Sequence, residues 1–404
     1  MLDPTALAQL HDATAFERAV LDALGREVGS DVAFFATLGS PPATIGLAPD
    51  KLARAFADRR YEHELLPVKQ SALRARGVAV DTHVLGELGV RSTAYHREFA
   101  RPIGGRHTLL AWMGLRERPL GVIMLGRTGS CWSDAELARV EDALPAISVC
   151  RASYGNTWHS QPLRVPATPA WARLRAERTL ATAMNRDGAT IRVRDRHGYR
   201  DMVANHRGAE LVWSSAAIVE PRRSAWFYVD LFHVAAARAR ARERVLFIGC
   251  GGAVSPKQFA EVYPGIAIDL VELDSTVVAL ANDWYGLASI PALTVHIADG
   301  ANFLSSAPAA RWDVVVIDAY STELASEFLS AQLFQHVHRV LRPGGQMAFN
   351  AIGTLAGPSA VQAVEEAART VLADVRLVPV LDQDEPYAPD ALRNVVVLGG
   401  RASS

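Results

Sequence analysis

Val245-Leu-Phe-Ile-Gly249-Cys250-Gly251-Gly252 is the stretch on which the reading of the chain turns. Four apolar residues run into a glycine cluster, and a short apolar run closed by glycine reads as a buried strand. The glycines leave no side chain between the turning backbone and a ligand. Glu272 lies 21 residues after Gly251 and closes a second strand, Ala267-Ile-Asp-Leu-Val-Glu272. An acidic residue about 20 positions beyond a glycine turn is the ribose-binding geometry of nucleotide-binding βαβ units. The third glycine of the dinucleotide pattern is missing, so the cluster takes its weight from what stands downstream.

Downstream, strands are expected at 245–248, 267–272, 293–297, 313–318, 346–350, about 374–380 and 394–399. Helices fill the gaps at about 256–263, 275–286, 300–306, 326–341 and 358–372. Such alternation implies an α/β fold with a mostly parallel, Rossmann-like sheet of seven strands. The last two strands have no helix between them, which suits the class I methyltransferase arrangement with its antiparallel final strand. Ligands of open sheets bind beyond the carboxyl ends of the strands. There stand Gly249–Gly252, then Glu272, then Asp299-Gly300, then Asp318-Ala-Tyr320, and then Asn350. One Asp at a strand end reads as a helix cap. Acidic or glycine signals at four consecutive ends read as a cofactor site. Glu272 suits both ribose hydroxyls, and Asp299 suits an exocyclic adenine amine. No P-loop Lys-Ser/Thr is present, so bound phosphates are not indicated. An adenosine ligand without phosphates points to S-adenosylmethionine, with Asp318 near its cationic sulfonium.

Residues 188–404 resemble the spermidine-synthase-like branch of the class I S-adenosylmethionine-dependent transferases. The resemblance rests on a small β segment from Ala189 to Ile218, on Tyr228-Val-Asp-Leu-Phe-His233, and on Val245–Gly252. It continues through Leu270-Val-Glu-Leu-Asp274, Ala298-Asp-Gly300, Asp313–Tyr320 and Leu341-Arg-Pro-Gly-Gly345. It implies a cofactor set of Gly249, Gly251, Gly252, Glu272, Leu273, Asp299, Gly300 and Asp318. It also implies Asp318 as the group that orients or deprotonates the acceptor, with Tyr320, Tyr228, Asp230 and His233 as acceptor wall; His233 reads equally as a packed helix residue. Three departures stand out. Polyamine synthases carry a second carboxylate three residues after the one matching Asp318, followed by Pro; here Ser321-Thr322 stands instead. Trp213-Ser214-Ser215 occupies the place of a cofactor-gripping glutamine, and Asp230 that of a Glu. A diamine needs paired carboxylates to hold two ammonium groups. Methyl transfer to a small-molecule or peptide-derived acceptor is therefore the leading expectation. Transfer or cyclisation of the aminopropyl or aminocarboxypropyl arm, and a sensor that binds without turnover, are the alternatives. The loop 381–390 carries four acidic residues that suit an amine-bearing acceptor or a solvated surface.

Upstream, residues 1–155 read as a separate α+β domain. Leu7 to Leu24 recur at helical spacing over Pro4–Val28, and Leu52–Leu66 is helical again. Strands are expected at 31–39, 79–83, 108–115 and 120–126, with turns at Gly39-Ser-Pro-Pro and Arg116-Glu-Arg-Pro119. Ser133-Asp-Ala-Glu136 has the spacing of a capping box. With Pro102–Thr108 and Leu120–Arg127, this texture resembles a GAF-like domain of the kind found at the front of LuxR-type regulators. The resemblance implies small-molecule binding or dimerisation, the second of which would make the protein a homodimer. No helix-turn-helix follows, which disfavours a regulator. The polar group Tyr95-His96-Arg-Glu98 with Arg106-His107 reads as pocket lining or as a solvated loop. Residues 156–187 read as a proline-marked linker followed by a bridging helix over Trp171–Met184.

Half of the 404 residues are apolar, enough for sizeable cores, and 42 basic residues balance 43 acidic ones. That balance gives no electrostatic reason to expect nucleic acid or an anionic membrane. No apolar run approaches a membrane span, and the N-terminus has no basic n-region. The three scattered cysteines, Cys131, Cys150 and Cys250, suggest a reducing compartment, so a cytoplasmic protein is expected. No zinc spacing of Cys and His occurs, and no metal is expected.

Overall fold

The computed structural model describes residues 12–37, 42–48, 51–52, 59–74, 77–115, 118–152, 154, 177–206, 208–320, 326–380 and 390–403. The expected turn at 39–41, the interior of the turn at 116–117, and the segment 156–176 lie outside them. So do Ser321, Thr322 and the loop 381–389. The chain divides into two compact units, residues 1–164 and 165–404.

The first unit runs α1 (Ala13–Val28), β1 (Val32–Thr37), β2 (Ala43–Ile45), α2 (Arg59–Arg74), β3 (Val78–Val80) and α3 (Asp81–Ser92). It continues with β4 (His107–Leu115), β5 (Arg118–Arg127) and α4 (Asp134–Ala152). The strands form an antiparallel sheet ordered β2-β1-β5-β4-β3. Phe16, Val20, Leu21 and Leu24 of α1 and Val140, Leu144 and Ile147 of α4 are buried, as their spacing requires. The capping box forms: Ser133 donates from N and Oγ to Glu136 Oε2 at 2.7 and 2.8 Å. The strand expected over 79–83 is cut short because α3 opens at Asp81. The carboxylate of Asp81 accepts from the amides of Thr82 and Thr108 at 2.6 and 3.0 Å. Tyr95–Ala100 is a π-helical turn and not a solvated loop: Tyr95, His96 and Phe99 are buried, Tyr95 and Phe99 line a small cavity, and Arg97 and Glu98 face outward. One ion pair is fully inside, with Arg151 Nε 2.6 Å from Glu17 Oε1 and Nη2 3.1 Å from Thr37 Oγ1.

The second unit begins with an antiparallel meander of β6 (Arg178–Met184), β7 (Thr190–Arg196), β8 (Tyr199–His206) and β9 (Ala209–Ala217). This corrects the bridging helix expected to run to Met184. Arg178–Met184 pairs residue by residue with β7, and that pairing overrides the helical propensity of Leu180-Ala-Thr-Ala-Met184. After α5 (Tyr228–Arg238) come β10 (Arg244–Ile248), α6 (Val254–Val262), β11 (Ala267–Glu272), α7 (Ser275–Tyr285) and β12 (Leu293–Ile297). Then follow α8 (Gly300–Ser306), β13 (Trp312–Ile317), α9 (Ala331–Val340), β14 (Leu341–Gly353), α10 (Ala360–Arg369), β15 (Ala373–Pro379) and β16 (Arg393–Gly400). The seven strands are ordered β12-β11-β10-β13-β14-β16-β15, and only β16 runs against the rest. The chain winds outward from β10 to β12 and then returns to β13 on the other side of β10. That reversal opens a crevice at the carboxyl ends of β10 and β13.

All six residues of β13 are buried. Each fully buried large apolar side chain there contributes ~1.5–3 kcal/mol. Towards the amino ends of the strands, buried acids are saturated by partners. Asp269 accepts from Arg244 Nε and Trp312 Nε1 at 2.9 and 2.8 Å on one oxygen. Its other oxygen meets His296 Nε2 at 3.1 Å and Arg311 Nη2 at 3.4 Å. Burial opposes its ionisation, but these donors outweigh burial and hold the carboxyl below its ordinary range. Asp313 is likewise held by the amides of Glu243 and Arg244 and by Arg342. Among the described residues no helix is long and apolar enough to cross a membrane.

Candidate cofactor and acceptor site

At the carboxyl ends the sheet holds a cavity of about 450 Å³. That volume suits a nucleoside-sized ligand. Its walls include Gly249, Gly251, Glu272, Leu273, Asp299, Gly300, Asp318, Tyr320 and Tyr228. Nine of the residues singled out in the sequence are thus brought together by four strand ends and one helix.

The glycine turn is fixed by crowding. At Gly249 φ is +100°, and a Cβ there would lie 2.1 Å from the carbonyl oxygen of Asp318. The ends of β10 and β13 touch because nothing stands between them, and Asp318 N donates to Ile248 O at 2.9 Å. Glu272 closes β11 with its carboxylate already aimed: Oε2 accepts from Cys250 N at 2.9 Å and Oε1 from Asp274 N at 3.0 Å. Burial nevertheless raises its pKa above the ordinary value. Asp299 caps α8, accepting from Asn302 N at 2.9 Å, and also lines the cavity. The capping reading of that residue is met. Leu273 is 44% exposed and forms an apolar lip.

Asp318 is the hub of the opposite wall. Asn350 Nδ2 donates to its Oδ1 at 2.8 Å, and Tyr228 donates its hydroxyl to Oδ2 at 3.2 Å. Asn350 in turn accepts from Asn394 Nδ2 at 2.9 Å. Burial raises the pKa of Asp318, and its two donors recover only part of that shift. The Tyr228 hydroxyl is pushed well up by burial and by the Asp318 charge. Burial takes Tyr320 to about 12, and its hydroxyl accepts from Ile352 N at 2.7 Å. The result is one half-buried carboxylate with two fixed donors, facing a cavity that Glu272 also lines.

Two expected wall residues do not reach the cavity. Asp230 Oδ1 accepts from Gln258 Nε2 at 2.9 Å. His233 stacks on Phe259 with ring centroids 4.3 Å apart and meets the Tyr263 hydroxyl at 3.2 Å. Neither lines the cavity, and His233 is a packed helix residue. The reason is helical phase: at about 100° per residue, positions two and five beyond Tyr228 turn about 200° and 140° away from it. Phe232, about 40° away, does line the wall. Gly252 also stays off the lining; a Cβ there would sit 2.7 Å from Tyr285 Cδ1. Asn394 and Ser255 line the cavity without having been singled out in the sequence. The first carries no local signal, and the second is one serine among many.

Residues 228–381 match the spermine/spermidine synthase domain. A stretch of 118 residues is 28% identical to the eEF1A lysine and N-terminal methyltransferase of Xenopus laevis, covering 27% of this chain and 17% of that protein. Another comparison gives 31% identity over 108 residues to spermidine synthase 1 of Hyoscyamus niger, covering 26% of this chain and 34% of that one. The chain spans less than half the length of these curated relatives. Among solved structures, a probable spermidine synthase from Corynebacterium glutamicum aligns at 19% identity. It covers 55% of this chain and 79% of its own, with a TM-score of 0.46.

Proposed function

We propose that the second unit binds S-adenosylmethionine and transfers its methyl group to a small-molecule or peptide-derived acceptor. The carrying observation is the pairing of two differently built carboxylates across one cavity. Glu272 is held by backbone amides on the adenosine side, and Asp318 is held by Asn350 and Tyr228 on the other. The residues present fit the cofactor: Glu272 takes the ribose hydroxyls, Asp299 the adenine amine, Leu273 the adenine face. When bound, the cofactor supplies an activated methyl group on a cationic sulfonium. Asp318 accepts a hydrogen bond from the acceptor's N–H or O–H and removes its proton as the nucleophile attacks. Tyr228 and Asn350 fix the carboxylate's orientation, so the nucleophile is aligned before reaction. Phe232, Phe328 and Ile352 line the cavity with apolar surface and exclude water. The first unit is read as a GAF-like domain that dimerises or binds a small ligand, and the protein as cytoplasmic.

The match of residues 228–381 to the spermine/spermidine synthase domain favours a second reading, aminopropyl transfer. Product analysis separates the two. The purified protein is incubated with S-adenosylmethionine and an acceptor panel drawn from host extract. S-adenosylhomocysteine as product supports methyl transfer; methylthioadenosine as the nucleoside product sinks it.

A further inference from the structure

The geometry points to a carboxylate subsite at the start of α6: the Ser255 hydroxyl, the opening amides of α6 and the Ser214 hydroxyl receive the α-carboxylate of an intact aminocarboxypropyl arm. The cavity is thereby built for uncleaved S-adenosylmethionine rather than its decarboxylated form. This rests on the proposed S-adenosylmethionine reading of the cavity and deepens it by naming the groups that select the carboxylate.

Four observations carry it. Ser255 lines the cavity, is 8% exposed, and its Oγ has no hydrogen-bond partner among the described residues. A buried hydroxyl left without a partner is costly, and such groups in folded proteins ordinarily find one. Second, Ser255 stands at the second position of α6, whose N-cap, Ala253, supplies no side-chain hydrogen bond. Proline at position 256 leaves Val254 and Ser255 as the amides that open the helix, and a helix N-terminus favours an anion. Third, Ser214 lies directly over the glycine turn. Its Oγ is 2.8 Å from where a Cβ on Gly252 would sit, and it lines the same cavity. It is delivered there by β9, which bulges at Trp213: Met202 pairs with Ser214, while the next residue, Val203, pairs with Val212.

The fourth observation is electrostatic. The acids of the cavity wall are Asp187, Glu272, Asp274, Asp299 and Asp318. They stand at the β6–β7 turn and at the ends of β11, β12 and β13. Each of those walls repels a carboxylate. No residue from Gly249 to Pro256 is acidic; the Glu272 carboxylate is engaged at Cys250 N, and the Ser255 end of the stretch presents hydroxyls and amides. An amine-only arm would find no counter-charge at that wall, whereas an α-carboxylate would find donors.

The test is titration calorimetry of the full-length protein with three probes. These are S-adenosylmethionine, decarboxylated S-adenosylmethionine, which differs only by the carboxylate, and methylthioadenosine, which lacks the arm's charges. The expected result is about tenfold or stronger preference for the intact compound over the decarboxylated one. Ser255→Ala should narrow that preference severalfold and leave methylthioadenosine affinity unchanged. Equal or tighter binding of the decarboxylated compound overturns the subsite while the adenosyl reading stands. So does a Ser255→Ala loss shared by all three probes. Binding of none of the probes overturns the adenosyl reading, and the subsite with it.

Discussion

Asp318→Asn separates chemistry from binding at this site. The substitution keeps the shape of the side chain. The amide oxygen can still accept from Asn350 Nδ2, and the new amide NH2 can donate to the Tyr228 oxygen once that hydroxyl rotates. What is lost is the negative charge and the ability to take a proton. Removal of a positioned general base costs about 100- to 10,000-fold in rate, or about 3–5 kcal/mol of barrier. Cofactor affinity should change little, because in the proposed binding mode Glu272 and Asp299 hold the adenosine side. Stability should move the other way. Burial raises the pKa of Asp318, so ionising it in the folded protein is unfavourable. That penalty is absent below the ordinary carboxylate pKa, grows as pH rises through the raised folded value, and is complete above it. The variant should therefore melt higher than the parent at neutral pH and equally at acid pH. The assays are initial rates with the identified acceptor, calorimetric cofactor binding, and thermal melts at two pH values. Transfer surviving within a few-fold, with cofactor affinity unchanged, would show that Asp318 is not the base. A lower melting temperature at neutral pH would show that its charge is stabilised in the fold, contrary to its burial.

The remaining expectations concern neighbouring parts. Transfer rate should fall as pH drops through the raised Asp318 pKa, since only the carboxylate can accept a proton. Asn350→Leu removes a donor that favours the charged form, so that limb should shift to higher pH in a pH–rate profile. Glu272→Gln should weaken adenosyl binding by about 10- to 100-fold, from the loss of charge-assisted hydrogen bonds to the ribose, as read by calorimetry. Gly249→Ala places a methyl 2.1 Å from the Asp318 carbonyl oxygen, so soluble yield and melting temperature should collapse together. In the first unit, Arg151→Met leaves Glu17 buried without its cation. Unfolding free energy should drop by about 3–5 kcal/mol in a denaturant titration, with binding in the second unit unaffected.

The seven-stranded sheet was legible because its strands are short apolar runs ending in glycine or acid. A buried parallel strand leaves no choice of face, so burial and punctuation carry the signal. The meander was half legible. Thr190–Arg196 and Tyr199–His206 announce themselves through the His197-Gly198 turn, but Arg178–Met184 does not. Its strand state is conferred by pairing with β7, which no local pattern encodes. On helix α5, Tyr228 lines the cavity as expected, whereas Asp230 and His233 do not. Tyr228, Asp230 and His233 lie within six residues, and chemical type drew them together where helical phase separates them. The Asn394–Asn350–Asp318 chain was invisible for a different reason. It joins β16 to β14 across an antiparallel pair whose register depends on how the sheet closes.

Two pairs of strand acids in the second unit, one buried and one half-buried, show why position along a strand is informative. Asp269 and Asp313, towards the amino ends, are met by arginines, a tryptophan and backbone amides, and Asp269 is held in its charged form. Glu272 and Asp318, at the carboxyl ends, have only neutral donors, and burial leaves both with raised pKa values. A stabilising role selects for the first arrangement, because every lone pair finds a cationic or amide partner. The second leaves a carboxylate incompletely compensated beside a cavity. Such an acid is poorly explained by stability alone and well explained by a ligand that brings the missing partners. By the same criterion Ser255 belongs with the second group. Its hydroxyl is a donor without an acceptor beside the same cavity, as Glu272 and Asp318 are acceptors short of donors.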